Sequence, residues 1–327
     1  MKYRRLGRNG PQVSAISMGR GATAVKVDTP LETEFNEAIH RALDLGINYF
    51  DSSEMYWNNR HEILLSRALK GRRNDVFIST KFGNINLPDG KKAANGRPEF
   101  VHQSCDESLK RMGLDVIDIF YLHRVDPSVP IEDTVGAMSE LISRGKVRFI
   151  GICEASVKTL RRAHAEHPLT ALQTEYSLWF RESEKDILPA CKELGIGYIA
   201  YAPLGRGLLT GNIKSVDDIP ESDHRRRHPR FLPENLTRNL ELVAELEAMA
   251  KRNEITPAQL ALAWILAQWE GIVPIPGTNH ADNVAQNAAA VDLSVNAKDL
   301  AKLSEIFTIG AGAGERYMPN ALKGVGI

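Results

Sequence analysis

The stretch Ile117-Asp118-Ile119-Phe120-Tyr121-Leu122-His123 is a short, nearly continuous apolar run that ends on a histidine. Seven comparable runs can be read along the chain: Ile16–Arg20, Tyr49–Ser53, Val76–Phe82, Val147–Glu154, Ala171–Tyr176, Gly197–Pro203 and Val273–Thr278. Runs that are apolar throughout, rather than alternating, are what parallel strands covered on both faces require. The segments between them read as amphipathic helices. Thr29-Pro30-Leu31-Glu32 offers a cap, a proline at the first helical position and an acid three residues on. Leu31, Phe35, Ala38, Ile39, Ala42 and Leu43 then share one face, and Gly46 can end the helix. Thr256-Pro257-Ala258-Gln259 repeats the start signal. Further helices are expected at 58–70, 98–111, 131–144, 156–166, 183–194, 236–253 and 298–306.

Strictly alternating strand and helix units predict a parallel sheet, and eight of them in one chain favour a closed (β/α)8 TIM barrel. Lys2–Leu6 and Gln12–Ser14, around Asn9-Gly10, read as a β-hairpin placed to plug the barrel bottom. Residues 208–233 are too long for a plain connection and read as a lid loop after strand seven. The tail, 307–327, shows no helical pattern. With no linker or low-complexity segment, 1–327 reads as one domain.

Composition narrows the function classes. The 327 residues carry 41 Lys+Arg and 41 Asp+Glu, a formal net charge of +0, which argues against a broad nucleic-acid footprint. No apolar run is long enough for a membrane span, and the basic start MKYRRLGRNG is followed by no apolar signal region. Cys105, Cys153 and Cys191 lie far apart, in no metal spacing, which fits a reducing, cytoplasmic setting.

Three apparent motifs are weighed against simpler readings. Gly19-Arg20-Gly21-Ala22-Thr23-Ala24 matches a dinucleotide fingerprint, but a helix should open on those glycines, and here it starts only at Thr29-Pro30. His164/His167 and His224/His228 lack a third ligand and read as surface histidines, so no metal is expected. His224-Arg225-Arg226-Arg227-His228 reads as a solvated loop or as a clamp for phosphate oxygens.

In such a barrel, chemistry gathers at the C-terminal strand ends. Those ends carry Asp51, Lys81 and His123, with Tyr56 in the loop after the second strand. An acid, an amine, an imidazole and a phenol at one mouth suit carbonyl reduction. A phenol keeps its proton at neutral pH and can protonate a developing alkoxide. A neighbouring Lys81 ammonium would stabilise the phenolate, Asp51 would hold that ammonium, and His123 would orient the carbonyl oxygen.

The spacing Asp51-x4-Tyr56, then Lys81, then His123 resembles the aldo-keto reductases. So do GINYFDSSEMY (46–56), VFISTKFG (76–83), IDIFYLHRVDP (117–127), GKVRFIGICEAS (145–156), LQTEYSLW (172–179), IAYAPLGRGLLTG (199–211) and VPIPGT (273–278). The chain is most similar to a bacterial single-chain branch with HRVDP, EYSLW and AGERY segments. The resemblance implies a barrel that reduces aldehydes and ketones, reversibly, with NADPH. It implies Tyr56 as acid, Lys81 and Asp51 as its tuners and His123 as orienter. It places Cys153, Glu154 and Gln173 at the nicotinamide carboxamide and Tyr201 under the ring. Pro203, Leu204, Gly205, Arg206 and Gly207 would line the pyrophosphate. Gly277, Thr278, Asn279, Asn283, Gln286 and Asn287 would lie at the adenosine end, with Gly19 and Asp51 completing the cofactor set.

Two departures matter. Cys153-Glu154 stands where relatives have Ser and then Asn or Glu. Asn279-His280-Ala281-Asp282-Asn283 has no Lys or Arg for a 2′-phosphate, so NADH should be tolerated or even preferred. Met55, Trp57, Trp179 and Phe180 are expected to build an apolar substrate wall, favouring aromatic, aliphatic or polycyclic carbonyls. The expected partner is a small carbonyl or alcohol, with no nucleic acid or membrane, in a monomer or small homo-oligomer. The competing expectations are a nucleotide-binding, redox-sensing regulatory subunit with slow turnover and a cofactor-free lyase.

Overall fold

The computed structural model describes residues 1–87, 92–322 and 324–327. At its centre seven parallel strands pair in chain order: β3 (Tyr49–Asp51), β4 (Phe77–Phe82), β7 (Ile117–Leu122), β8 (Val147–Cys153), β9 (Ala171–Glu175), β10 (Gly197–Tyr201) and β11 (Ile272–Pro274). Two antiparallel pairs accompany them, β1 (Tyr3–Arg5) with β2 (Gln12–Ser14) and β5 (Asn84–Asn86) with β6 (Lys92–Ala94). The connecting helices are α1 (Pro30–Asp44), α2 (Arg60–Ala68), α3 (Pro98–Met112), α4 (Ile131–Ser143), α5 (Val157–Glu166), α6 (Ile187–Leu194), α7 (Pro233–Arg252) and α8 (Pro257–Gln268). After β11 come α9 (Ala281–Ala289), α10 (Ala297–Ile306) and α11 (Pro319–Leu322). No described helix is long and apolar enough to cross a membrane.

Alternation within the apolar runs explains the packing. In β7, Ile119 and Tyr121 join an inner cluster with Tyr49, Cys153, Ile199 and Val273, whereas Phe120 and Leu122 face the outer layer under the helices. Both faces are covered, so both sets are apolar. Leu6 and Val13, from the hairpin, belong to the inner cluster. Each large aliphatic side chain buried here, such as Ile119, Ile199 or Val273, contributes about 1.5–3 kcal/mol.

The expected first strand, Ile16–Arg20, does not form as a ladder. It makes two isolated parallel bridges, Met18 to Phe50 and Gly19 to Gly277. Met18 N–H donates to Tyr49 O at 3.0 Å, and Ser17 N–H donates to Pro274 O at 3.0 Å. One segment therefore touches both edges of the sheet, which curls round to meet it. Pro274 and Pro276 have no N–H to return, so no continuous ladder can build there, and β11 is shorter than expected. The crossing is close: a Cβ at Gly19 would run into Ile275 O, and one at Gly277 into Arg20 O.

The capping box expected at Thr256 is present, with Gln259 N–H donating to Thr256 Oγ1 and Thr256 N–H to Gln259 Oε1. At α1, Thr29 occupies the cap position without a side-chain cap bond; Glu32 accepts from Asp28 N–H instead. Leu31 is exposed rather than part of the buried face. The 183–194 helix starts later, at Ile187, and the 236–253 helix earlier, at Pro233. Residues 208–233 fold into single 3-10 turns at Val216–Asp218, His224–Arg227 and Pro229–Phe231. The tail gains the single turn α11, contrary to expectation. His228 is buried against Phe231 and Tyr317, not a surface histidine.

Candidate active site

The strand ends bring the four expected residues together. Asp51 closes β3, Lys81 lies in β4, and His123 follows β7. In the loop after β3, Tyr56 N–H donates to Ser53 O at 3.0 Å, which turns the phenol back over the mouth. Trp57, Asn58 and Asn59 then take left-handed backbone angles, φ 51°, 56° and 68°, before α2 begins. That reversal sends the Trp57 indole away into packing against His61 and Phe35, at ring-centre distances of 4.7 and 5.7 Å.

Lys81 is fully buried, and its ammonium has three acceptors for its three protons. Nζ lies 2.5 Å from Asp51 Oδ2, 2.6 Å from Ser52 O and 3.3 Å from the Tyr56 hydroxyl. Burial pulls the ammonium towards neutrality, but its interactions with the Asp51 carboxylate and the Tyr56 hydroxyl outweigh it, and its pKa is raised. Asp51 is held in turn: its Oδ1 accepts from Ser79 Oγ at 2.8 Å and from Gln173 Nε2 at 2.9 Å. His123 stands edge-on to Tyr56, ring centres 6.0 Å apart. Burial, then the cations Arg124, Lys81, Lys92 and Arg20, push its pKa well below the ordinary imidazole value, so the ring is neutral at pH 7. Its Nδ1 lies 3.2 Å from Ser53 Oγ.

Residues expected around a cofactor are placed as follows. Gln173 points its amide at Asp51. The Cys153 thiol is buried and pushed up to about 12 by that burial. Glu154, at φ 55°, accepts two bonds from the Arg316 guanidinium at 2.9 and 2.5 Å and one from Glu175 N–H at 3.1 Å. Glu175 pairs at 2.7 Å with Arg230. The Tyr201 hydroxyl lies 2.8 Å from that of Tyr317. After Pro203 and Leu204, the residues Gly205, Arg206 and Gly207 take three successive left-handed conformations. Arg206 Nε and Nη2 are buried there with no partner. Arg225, from the 208–233 segment, donates to Arg206 O at 3.0 Å. Thr278 Oγ1 accepts from His280 N–H and Asn283 Nδ2, and Asn279 Nδ2 donates to Thr23 O. The Gln286 carbonyl accepts from Gln259, and Asn287 is buried, both on α9. Gly19 and Gly277 lie at the close crossing described above.

Of the four residues expected as an apolar wall, Trp57 and Trp179 are buried, and Met55 and Phe180 are half-buried. Trp57 packs behind Tyr56, and Trp179 is buried against Phe307. Phe180 lies beneath two guanidiniums, Arg316 at 4.5 Å and Arg230 at 5.5 Å from the ring centre. Met55 Sδ accepts from Asn84. Sequence reasoning missed Ser53, Ser79, Arg230 and Arg316. The AGERY segment was the one local sign of the last. A cavity of about 620 Å³ at the other end of the strands, beside Tyr3, Arg5 and Trp269, contains none of the expected site residues. Among the described residues no group of three metal-ligating side chains exists.

The model of the Aldo/keto reductase family matches residues 15–307. A protein of Glycine max described as probable aldo-keto reductase 1 is 44% identical over 317 residues, spanning 96% of this chain and 91% of its own length. The structure of a glycerol dehydrogenase from Gluconobacter oxydans superposes with a TM-score of 0.84 at 26% identity, covering 93% of this chain and 94% of that one. An aldo-keto reductase from Klebsiella pneumoniae in complex with NADPH gives a TM-score of 0.74 at 25% identity, over 94% and 95% of the two chains.

Proposed function

The chain belongs to the Aldo/keto reductase family and is an NAD(P)H-dependent oxidoreductase, and from that premise we propose how its own residues reduce a carbonyl. The observation that carries the reading is the saturated Lys81 ammonium, buried between Asp51 and the Tyr56 hydroxyl.

The residues present fit a dinucleotide. Arg206 holds two unpartnered, buried N–H groups beside Gly205 and Gly207, and a buried cation with free donors suits a diphosphate. Pro203, Leu204, Gly205, Arg206 and Gly207 would hold that part, with Gly277, Thr278, Asn279, Asn283, Gln286 and Asn287 towards the adenosine and Gly19, Cys153, Glu154, Gln173 and Tyr201 towards the nicotinamide. When bound, the reduced dinucleotide supplies a hydride to the carbonyl carbon. The chain's own part is proton and charge. Tyr56 gives its phenolic proton to the carbonyl oxygen, and Lys81, kept charged by Asp51, stabilises the phenolate left behind. Neutral His123 donates a hydrogen bond from Nε2 to the same oxygen, which requires Ser53 to donate to Nδ1 and so select that tautomer. In the reverse direction the phenolate takes the alcohol proton.

Further assignments belong to the same reading. The 16–20 segment completes an eight-stranded barrel, the β1–β2 hairpin closes its bottom, and 208–233 acts as a lid through Arg225 on Arg206. The chain is one domain acting on a small carbonyl or alcohol. Residues 279–283 carry no Lys or Arg, and His280 faces Glu34 at 3.5 Å, so NADH is accepted alongside NADPH. The experiment is a panel of carbonyls and alcohols run with both dinucleotides, following the absorbance of the reduced nicotinamide. The reading expects turnover in both directions, and no turnover with any pair overturns it.

A further inference from the structure

Three non-glycine residues at or beside the positions assigned to the dinucleotide hold left-handed backbone: Glu154 at φ 55°, Ala202 at φ 48° and Arg206 at φ 59°. Such a backbone is costly outside glycine and persists only where its surroundings hold it. Two adjacent residues of the tail, Arg316 and Tyr317, reach each of these places. Arg316 gives Glu154 two hydrogen bonds, at 2.9 and 2.5 Å. The Tyr317 hydroxyl lies 2.8 Å from that of Tyr201, the residue before Ala202. Arg206 sets its guanidinium over the Tyr317 ring, with Cζ 5.1 Å from the centre.

The tail is itself anchored on both sides of these contacts. Buried Asn239, on α7, donates to Ala313 O at 3.0 Å and accepts from Ala313 N–H at 2.7 Å. Further on, Gly326 N–H donates to Glu154 O at 2.8 Å. The Tyr317 ring is also packed, with the His228 ring centre 5.9 Å away and Arg316 Cζ 5.6 Å from its own centre. A ring that carries a flat ligand must keep its plane. Among the described residues, the Tyr201 hydroxyl has Tyr317 as its one side-chain partner. We propose that Arg316 and Tyr317 are positioning residues for the dinucleotide: the tail holds Glu154, Tyr201 and Arg206 in the geometry the dinucleotide requires before it binds. This rests on the dinucleotide placement given above and adds the residues that pre-form it. Ordering of these strand ends then happens in folding rather than at binding, so affinity is the quantity the tail controls.

The test is a double-mutant cycle read by fluorescence titration with NADPH and with NADH. Tyr317→Phe keeps the ring, with both arginines and His228 against it, and removes only the hydroxyl. Its Kd should rise about threefold to tenfold. Tyr201→Phe should weaken binding by a similar factor, and the double variant should bind no more weakly than Tyr201→Phe alone. A purely structural tail would lower Tm and leave Kd within about twofold, which overturns the proposal. Full additivity overturns it too, because Tyr317 would then act apart from Tyr201. Hydrogen exchange on the unmodified protein decides the matter even where a variant does not fold. Saturating dinucleotide should slow exchange in the 311–318 stretch, and unchanged exchange there overturns the proposal. An unmodified protein that binds neither dinucleotide contradicts the underlying placement, and the proposal with it.

Discussion

The Lys81 ammonium stands 2.5 Å from Asp51 Oδ2, in a place that water does not reach. Breaking one partner of a buried pair costs about 3–5 kcal/mol, because the other charge is stranded, whereas replacing both is far less costly. Lys81→Met should therefore lower both Tm and kcat. Adding Asp51→Asn should recover much of the Tm but none of the rate, since the phenolate still lacks its cation. Calorimetry beside steady-state rates reads the two effects apart, and a double variant with restored turnover would contradict the assigned role of Lys81.

Glu54 gives a pH signature. Its carboxyl is raised from 4.5 to about 7, chiefly by burial, with Gly83 N–H and then Glu62 as lesser influences. A raised carboxyl favours folding while protonated. Its contribution is complete below about 4.5 and is lost as pH rises through about 7, a difference of about 3 kcal/mol at most. Glu54→Gln, which can still accept from Gly83, should raise Tm at pH 8 and change it little at pH 5. Equal Tm shifts at both pH values would exclude this account.

The tail is fastened to the mouth by Arg316 on Glu154, residues 162 apart in sequence with side chains 9% and 2% exposed. Arg316→Met alone should destabilise by about 3–5 kcal/mol, and Glu154→Gln in the same chain should recover part of that. Urea unfolding of the three variants measures it. Full additivity of the two single effects would show that the pair is not coupled.

On the proposed reading, dinucleotide choice is set by 279–283. The ratio of kcat/KM for NADPH over NADH should stay below about a hundredfold, because 279–283 offers no charge-assisted bond from Lys or Arg, worth about 1.5–3 kcal/mol each. Asn279→Arg should raise that ratio by about tenfold. A wild-type ratio far above a hundredfold would show a 2′-phosphate grip elsewhere, and the 208–233 arginines would be the place to look.

The legible part of this molecule lay in local pattern. Apolar runs such as Ile117–Leu122 announce their strands, and the residues at their ends, Asp51, Lys81 and His123, sit where a barrel places its chemistry. What escaped depends on backbone detail or on long-range pairing. Pro274 and Pro276 prevent a ladder to Ile16–Arg20, although the run itself looks like any other. Three left-handed residues turn Trp57 inwards, and no composition signal marks that. Helix α9 has a mixed Ala/Asn surface with only Val284, Asn287 and Ala288 buried, too weak a stripe to stand out. Arg316 looked like part of an irregular tail, because its partners Glu154 and Phe180 lie far off in sequence.

The central claim is that the Tyr56 hydroxyl delivers the proton. Tyr56→Phe keeps the ring between His61 and His123 and deletes only that hydroxyl. Dinucleotide affinity, followed by fluorescence titration, should stay within about twofold, while kcat for carbonyl reduction should fall by about 100-fold to 10,000-fold. A Tyr56→Phe protein that binds the dinucleotide and still reduces carbonyls at the unmodified rate would contradict the account.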